Sequence, residues 1–101
     1  ERDHAYHLFA VAIDFAGLGV DRGDLMRGLA ARGVGTQVHY IPLTAQPFHR
    51  DRPGAEPPRS RPGADAYYQR TLSLPLYPDL TSADVRAIVA TLATTLAELR
   101  P

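Results

Sequence analysis

Leu8-Phe9-Ala10-Val11-Ala12-Ile13, and after a short break Val20-Asp21-Arg22-Gly23-Asp24-Leu25-Met26-Arg27-Gly28-Leu29-Ala30-Ala31-Arg32-Gly33, are the residues whose reading decides the fold. In the first run Phe9, Val11 and Ile13 alternate with Leu8, Ala10 and Ala12. Both faces are therefore apolar, which predicts a strand over 4–14 that is central in its sheet or covered on both sides. Phe15-Ala16-Gly17-Leu18-Gly19 interrupts the pattern and reads as a loop. The second run carries helix grammar. Asp21 is placed to cap, Asp24 lies in the first turn where a carboxylate suits the positive end of the dipole, and Val20 and Leu25 have staple spacing. Leu25 and Leu29 share a face, and Gly33 after Arg32 is the expected stop.

Downstream, residues 34–41 (Val34-Gly35-Thr36-Gln37-Val38-His39-Tyr40-Ile41) alternate again and predict a second strand, with Thr36, Val38 and Tyr40 on one face and Gln37 and His39 on the other. Pro42 ends it. Residues 42–63 hold six Pro, two Gly and four Arg against Asp51 and Glu56, with no helical or strand period, and read as a long Pro/Arg-rich loop or arm. Ala64 to Leu72 predicts a short helix with Ala64, Tyr67, Tyr68, Thr71 and Leu72 on one stripe. Ser73-Leu74-Pro75-Leu76-Tyr77-Pro78 must be extended, because each Pro disfavours helix in the residue before it. Thr81 and Asp84 have capping-box spacing, Leu80 can staple to Val85, and Val85, Ile88, Val89, Leu92, Leu96 and Leu99 then follow helical spacing. The expected fold is a single two-layer α/β domain over 1–101, with a small sheet of about three strands and helices mainly on one face.

Composition narrows the chemistry. The 101 residues are 45% hydrophobic and 22% charged, with eleven basic residues, all arginine, against eleven acidic ones. The formal net charge is zero and no basic stripe with interleaved aromatics occurs, which argues against nucleic acid as a partner. The longest apolar run, six residues, is far below the roughly 20 of a membrane span, and no apolar leader is visible. With no cysteine, disulfides, thiolate metal sites and cysteine nucleophiles are excluded. With no lysine, Schiff-base chemistry cannot be completed by these residues alone.

Few side-chain groups stand out. His4 and His7 would chelate a metal if helical, but on a strand that spacing places them on opposite faces, so no metal site is expected. His39 and Tyr40 sit where a side chain can project past the sheet, although no Ser or acid at a recognisable spacing forms a triad with His39. Gln46 and Phe48 offer an amide and an aromatic face. Arg50, Arg52, Arg59 and Arg61 make the loop locally basic; guanidinium forks suit phosphate, yet no glycine-rich phosphate loop accompanies them. These patterns alone define an α/β domain with an unusual arm and name no reaction.

Three segments in order add more. His4-Ala5-Tyr6-His7-Leu8-Phe9, then Gly33 to Pro42 with Gln46-Pro47-Phe48 following, then Ala64-Asp65-Ala66-Tyr67-Tyr68 ahead of Leu72-Ser73-Leu74-Pro75-Leu76-Tyr77-Pro78, resemble the C-terminal domain of the DegT/DnrJ/EryC1/StrS family. These are pyridoxal-phosphate-dependent sugar-nucleotide aminotransferases of the aspartate-aminotransferase fold. The resemblance spans nearly the whole chain except the middle of the arm. The run ending His39-Tyr40-Ile41-Pro42 is most similar to that of enzymes aminating a 4-keto sugar nucleotide, including those of the pseudaminic-acid pathway.

The resemblance implies a reaction in which an amino group, typically from glutamate, passes to a keto sugar on a nucleotide diphosphate. It implies that the Schiff-base lysine and the cofactor-phosphate site lie in a larger N-terminal domain that these residues lack. The chain alone would then be inactive and contribute no catalytic residue. It also implies a homodimer in the cytoplasm, with no membrane. By matching position, His39 and Tyr40 are the family's His-Tyr pair near the sugar nucleotide, Gln46 and Phe48 match the Gln-Pro-aromatic that follows, and Arg50 completes the expected substrate-binding set. Many relatives carry His where this sequence has Thr44, which removes one expected contact. The competing reading is a free-standing α/β interaction or ligand-binding module without catalysis.

Overall fold

The structure, a computed structural model, describes residues 6–54 and 61–101. His4, and with it half of the possible His4–His7 pair, lies outside the described residues. The chain runs β1 (Phe9–Ala12), α1 (Phe15–Leu18), α2 (Arg22–Ala30), a 3-10 turn (Leu43–Ala45), α3 (Pro47–Arg50), α4 (Pro62–Arg70), β2 (Thr71–Leu74) and α5 (Ser82–Leu99). The mixed helix-and-sheet class is as the sequence predicts. The sheet is smaller.

β1 and β2 pair antiparallel, with Phe9 opposite Leu74, Ala10 opposite Ser73, Val11 opposite Leu72 and Ala12 opposite Thr71. The strand predicted over 34–41 is reduced to one antiparallel bridge, in which Gln37 N–H donates to Ser73 O at 3.1 Å and Ser73 N–H donates to Gln37 O at 2.8 Å. Val38 next to it packs partly against the core, but Tyr40 is 73% exposed, so the alternation does not continue as strand. β2 therefore lies between β1 and the Gln37 bridge, and all four of its residues are buried.

The prediction for the first strand is corrected in the same way. It is short, its Phe9 is 48% exposed, and Leu8 beside it is also exposed. It is an edge, and the covered strand is β2. The loop predicted at 15–19 is a helical turn instead: the Asp14 carboxylate accepts from Gly17 N–H, Phe15 is buried, and Gly19 ends the turn at φ +66°, a conformation open to glycine.

The capping grammar reads correctly for the two long helices. Asp21 Oδ1 accepts from Asp24 N–H at 3.0 Å, and Gly33 turns the chain at φ +79° while Val34 N–H reaches back to Leu29 O. Thr81 Oγ1 accepts from Asp84 N–H at 3.1 Å, and Asp84 Oδ2 accepts from Thr81 N–H at 2.9 Å and from its hydroxyl at 2.6 Å, a complete capping box. The Thr81 hydroxyl and then its backbone N–H favour the charged carboxylate, so the Asp84 carboxyl is held below its ordinary value.

α4 stops two residues sooner than predicted, and Thr71 and Leu72 turn straight into β2. Arg22 holds that junction from α2. Its guanidinium donates to Tyr68 O and, at 3.2 Å, to Thr71 O, and it lies 4.7 Å from the Tyr68 ring centroid.

The core is Ile13, Phe15, Val20, Leu25, Leu29, Val34, Leu72 and Leu74, with Ile88, Leu92, Leu96 and Leu99 of α5 packed against it. Thus α2 and α5 cover one face of the sheet. They meet closely: a Cβ built on Gly28 would lie 2.7 Å from Thr95 Cγ2. Thr95, buried to 1% exposure, donates to Thr91 O at 2.7 Å and accepts from Arg32 at 3.1 Å. Arg32 also pairs with Glu98, tying the C-terminal end of α2 to α5. Among the described residues no helix is long and apolar enough to cross a membrane.

Candidate functional site

The Gln37–Ser73 bridge shapes a polar cleft. Pairing at a single point brings residues 35–39 alongside β2 and then lets them diverge, leaving a cleft of about 340 Å³. His7 and Leu8 line one side, Gly35, Thr36, Gln37 and His39 another, and Ser73, Leu74, Pro75 and Leu76 complete it. Its side chains offer hydroxyls, an amide and imidazoles, but no Asp, Glu or Arg. Such a wall suits the hydroxyls of a neutral ligand portion and has no fixed charge for a phosphate.

His39 meets two partners there. Its Nδ1 lies 2.9 Å from Ser73 Oγ, and the Tyr40 ring stands edge-on to it at 4.7 Å between centroids. With Nδ1 engaged, Nε2 is the ring nitrogen open to a ligand.

The other predicted residues lie farther along the chain. Gln46 ends the 3-10 turn and begins α3, where its carbonyl accepts from His49 and Arg50 N–H at 3.0 and 2.9 Å. Pro47 at the first helical position suits that start. Phe48 is 74% exposed, with the His49 ring edge-on at 5.1 Å. Arg50 is engaged by its neighbour: Nε donates to Asp51 Oδ1 at 2.6 Å and the terminal nitrogen to Oδ2 at 2.8 Å. That paired hydrogen bond raises the Arg50 pKa from its already high value and holds the Asp51 carboxyl below its ordinary one. The pair is solvent-exposed, so an incoming anion can displace Asp51 at small cost. Among the described residues His39 is the one of the five that lines the cleft; Tyr40, Phe48 and Arg50 are exposed and Gln46 half-buried along residues 40–50, and no side-chain hydrogen bond, ion pair or ring contact joins these four to one another.

Ser73 and His7 escape a sequence reading of the site. Ser73 is one hydroxyl in an apolar segment, 34 positions from His39, and only the fold joins them. His7 has weak local signal: its spacing to His4 suggests a pair only on a helix, and the strand reading sets that aside.

The comparisons with known proteins agree with this fold. A model of the DegT/DnrJ/EryC1/StrS aminotransferase family matches residues 1–93, and the chain belongs to that family. Among solved structures it is similar to PseC of Helicobacter pylori, an aminotransferase involved in pseudoaminic acid biosynthesis, at TM-score 0.76 and 22% identity over 91% of this chain and 24% of that one. It is also similar to the putative sugar aminotransferase Spr1654 of Streptococcus pneumoniae in its PMP form, at TM-score 0.77 and 26% identity, covering 92% and 23%. The aminotransferase TlmJ of Streptoalloteichus hindustanus matches at TM-score 0.70 and 29% identity, covering 91% and 22%. The chain thus spans about a quarter of the length of the solved relatives it matches.

The residues present do not fit a pyridoxal phosphate site. The sequence has no lysine for the covalent link. The three helices of nine or more residues each carry a carboxylate in the first turn, Asp24 in α2, Asp65 in α4 and Asp84 in α5, where a phosphate would require bare N–H groups. No step is therefore assigned to the cofactor through these side chains.

Proposed function

We propose that these residues form the small domain of a pyridoxal-phosphate-dependent aminotransferase that passes an amino group, from glutamate, to a keto sugar carried on a nucleotide diphosphate. In this reading the domain is a wall of the sugar site. The reactive nitrogen and the cofactor are held by other parts of the enzyme, and the enzyme works as a homodimer. His39 presents Nε2 to a sugar hydroxyl or keto oxygen. Tyr40, Gln46 and Phe48 extend the surface toward the nucleotide, and Arg50 exchanges Asp51 for a phosphate. The 4-keto position is the reading's choice of reacting carbon, supported by the run ending at Pro42.

The observation that carries this reading is the polar cleft at the Gln37–Ser73 bridge, without Asp, Glu or Arg among the described residues that line it, in a chain of this family. Such a wall, in a chain whose residues 40–50 also expose an aromatic and an arginine, suits a ligand with a polyhydroxyl part and an anionic part. The test is His39→Ala in the native gene product that carries these residues. With UDP-, dTDP- and GDP-linked 4-keto hexoses as substrates, KM is expected to rise about tenfold for the one turned over, corresponding to one lost hydrogen bond to a polar ligand. The cofactor absorbance is expected to stay unchanged. An unaltered KM, or a lost cofactor band, would overturn the assignment.

A further inference from the structure

The cleft contains a device that the family-level reading does not require. Ser73 is 4% exposed, at the centre of the covered strand. Its backbone N–H and C=O are both used in the bridge to Gln37, so its main chain has no freedom to shift. Its hydroxyl is thus a fixed point, and it meets His39 Nδ1 at 2.9 Å. The imidazole lies two residues beyond a single-bridge contact, and its other neighbour, the Tyr40 ring, is itself 73% exposed and a weak restraint.

We propose that Ser73 is a positioning residue: its buried hydroxyl sets the orientation of the His39 ring and thereby fixes where Nε2 stands in the cleft. The function of that nitrogen rests on the sugar-site reading above; the positioning does not. A hydroxyl is suited to this task because it both donates and accepts. It holds Nδ1 in either neutral tautomer and in the imidazolium, so the ring keeps its place whatever proton it carries. A carboxylate at position 73, which only accepts, would favour the states that carry a proton on Nδ1. Replacing the serine by alanine removes one oxygen and leaves the bridge to Gln37 intact, because that bridge is main chain.

The experiment uses the native gene product in two samples, one 15N-labelled on histidine for the rings and one on glutamine for the Gln37 backbone amide, with the His39 and Gln37 signals assigned by their disappearance in His39→Ala and Gln37→Asn. In Ser73→Ala the His39 ring 15N resonances are expected to shift and broaden, while the Gln37 amide signal stays in place. Ser73→Thr, which keeps the hydroxyl in a β-compatible side chain, is expected to restore them. Kinetics with the same panel of keto hexose nucleotides supply the second readout. Ser73→Ala is expected to raise KM about five- to tenfold and to add less than twofold in a His39→Ala background, since it acts through that ring. Unmoved ring resonances in Ser73→Ala would overturn the proposal, as would a Ser73→Ala effect on KM that is undiminished in His39→Ala. Moved resonances together with a kinetically silent His39→Ala would uphold the positioning and overturn the sugar-site reading.

Discussion

The face built by α2, α5 and β2 and the segment from His39 to Asp51 obey opposite rules. In the first, side chains are used up internally. Leu25, Leu29, Leu72, Thr71 and Thr95 are fully buried, each helix N-terminus is capped by its own side chains (Asp21 in α2, Thr81 with Asp84 in α5), and Arg22 and Arg32 reach across to tie elements far apart in sequence. In the second, the bonds are local. Gln46 binds residues three and four ahead, Arg50 binds Asp51, and Phe48 and Tyr40 are about three-quarters exposed. The first region is closed by its own contacts. The second holds a shape while leaving its aromatic and basic groups for something else, and His39 stands at the boundary, engaged by the core at Nδ1 and open at Nε2.

The difference can be tested by unequal responses to substitution. The largest is expected at Leu72→Ala, which opens a cavity in the fully buried middle of β2 and should cost about 2–5 kcal/mol in denaturant unfolding. Next is Gly28→Ala. Alanine is the better helix former by about 1 kcal/mol, but the added carbon meets Thr95 Cγ2 at 2.7 Å, and overpacking of a tight helix crossing costs about 1–3 kcal/mol. A net loss is expected, and a gain would show that α2 and α5 are looser than described.

Thr81→Ala comes third, at about 1 kcal/mol for a lost N-cap, and it carries a pH signature. The Asp84 carboxyl is lowered in the folded state, so its contribution is present above the ordinary carboxylate value of 3.8 and is lost as pH falls through the lower folded value. Hydrogen-exchange protection of the first turn of α5 is expected to weaken below about pH 4, and to do so less in Thr81→Ala. Smallest is Phe48→Ala, expected within about 0.5 kcal/mol of the parent because the ring is exposed. A large loss there would mean that the second region belongs to the core.

How much of this was legible in the sequence follows from where the information resides. The helix starts at Asp21 and Thr81 are written in neighbouring residues, so a local reading finds them. Strand pairing is not local. Val34 to Ile41 alternates well, yet alternation specifies faces and not a partner, and only Gln37 finds one. β2 is legible only in its second half: Ser73 and Leu74 fall in the stretch read as extended, whereas Thr71 and Leu72 also fit the helical stripe before them, and four alternating residues are too few to decide between the two periods. With no Gly or Pro from Ala64 to Leu74, the helical stripe of Tyr67 and Tyr68 runs on into the strand, and the true boundary depends on Arg22, 46 and 49 positions upstream of the atoms it binds. Of the site, His39, Tyr40, Gln46, Phe48 and Arg50 come from motif order, whereas Ser73 requires the folded chain.

The most direct test is a crystal structure of the native gene product, loaded with its cofactor, in complex with a keto hexose nucleotide. A sugar oxygen within about 3.2 Å of His39 Nε2, with the ring seated between residues 35–39 and 73–76, is the expected result. A sugar bound elsewhere, with that cleft sealed by the protein's own side chains, would contradict the account.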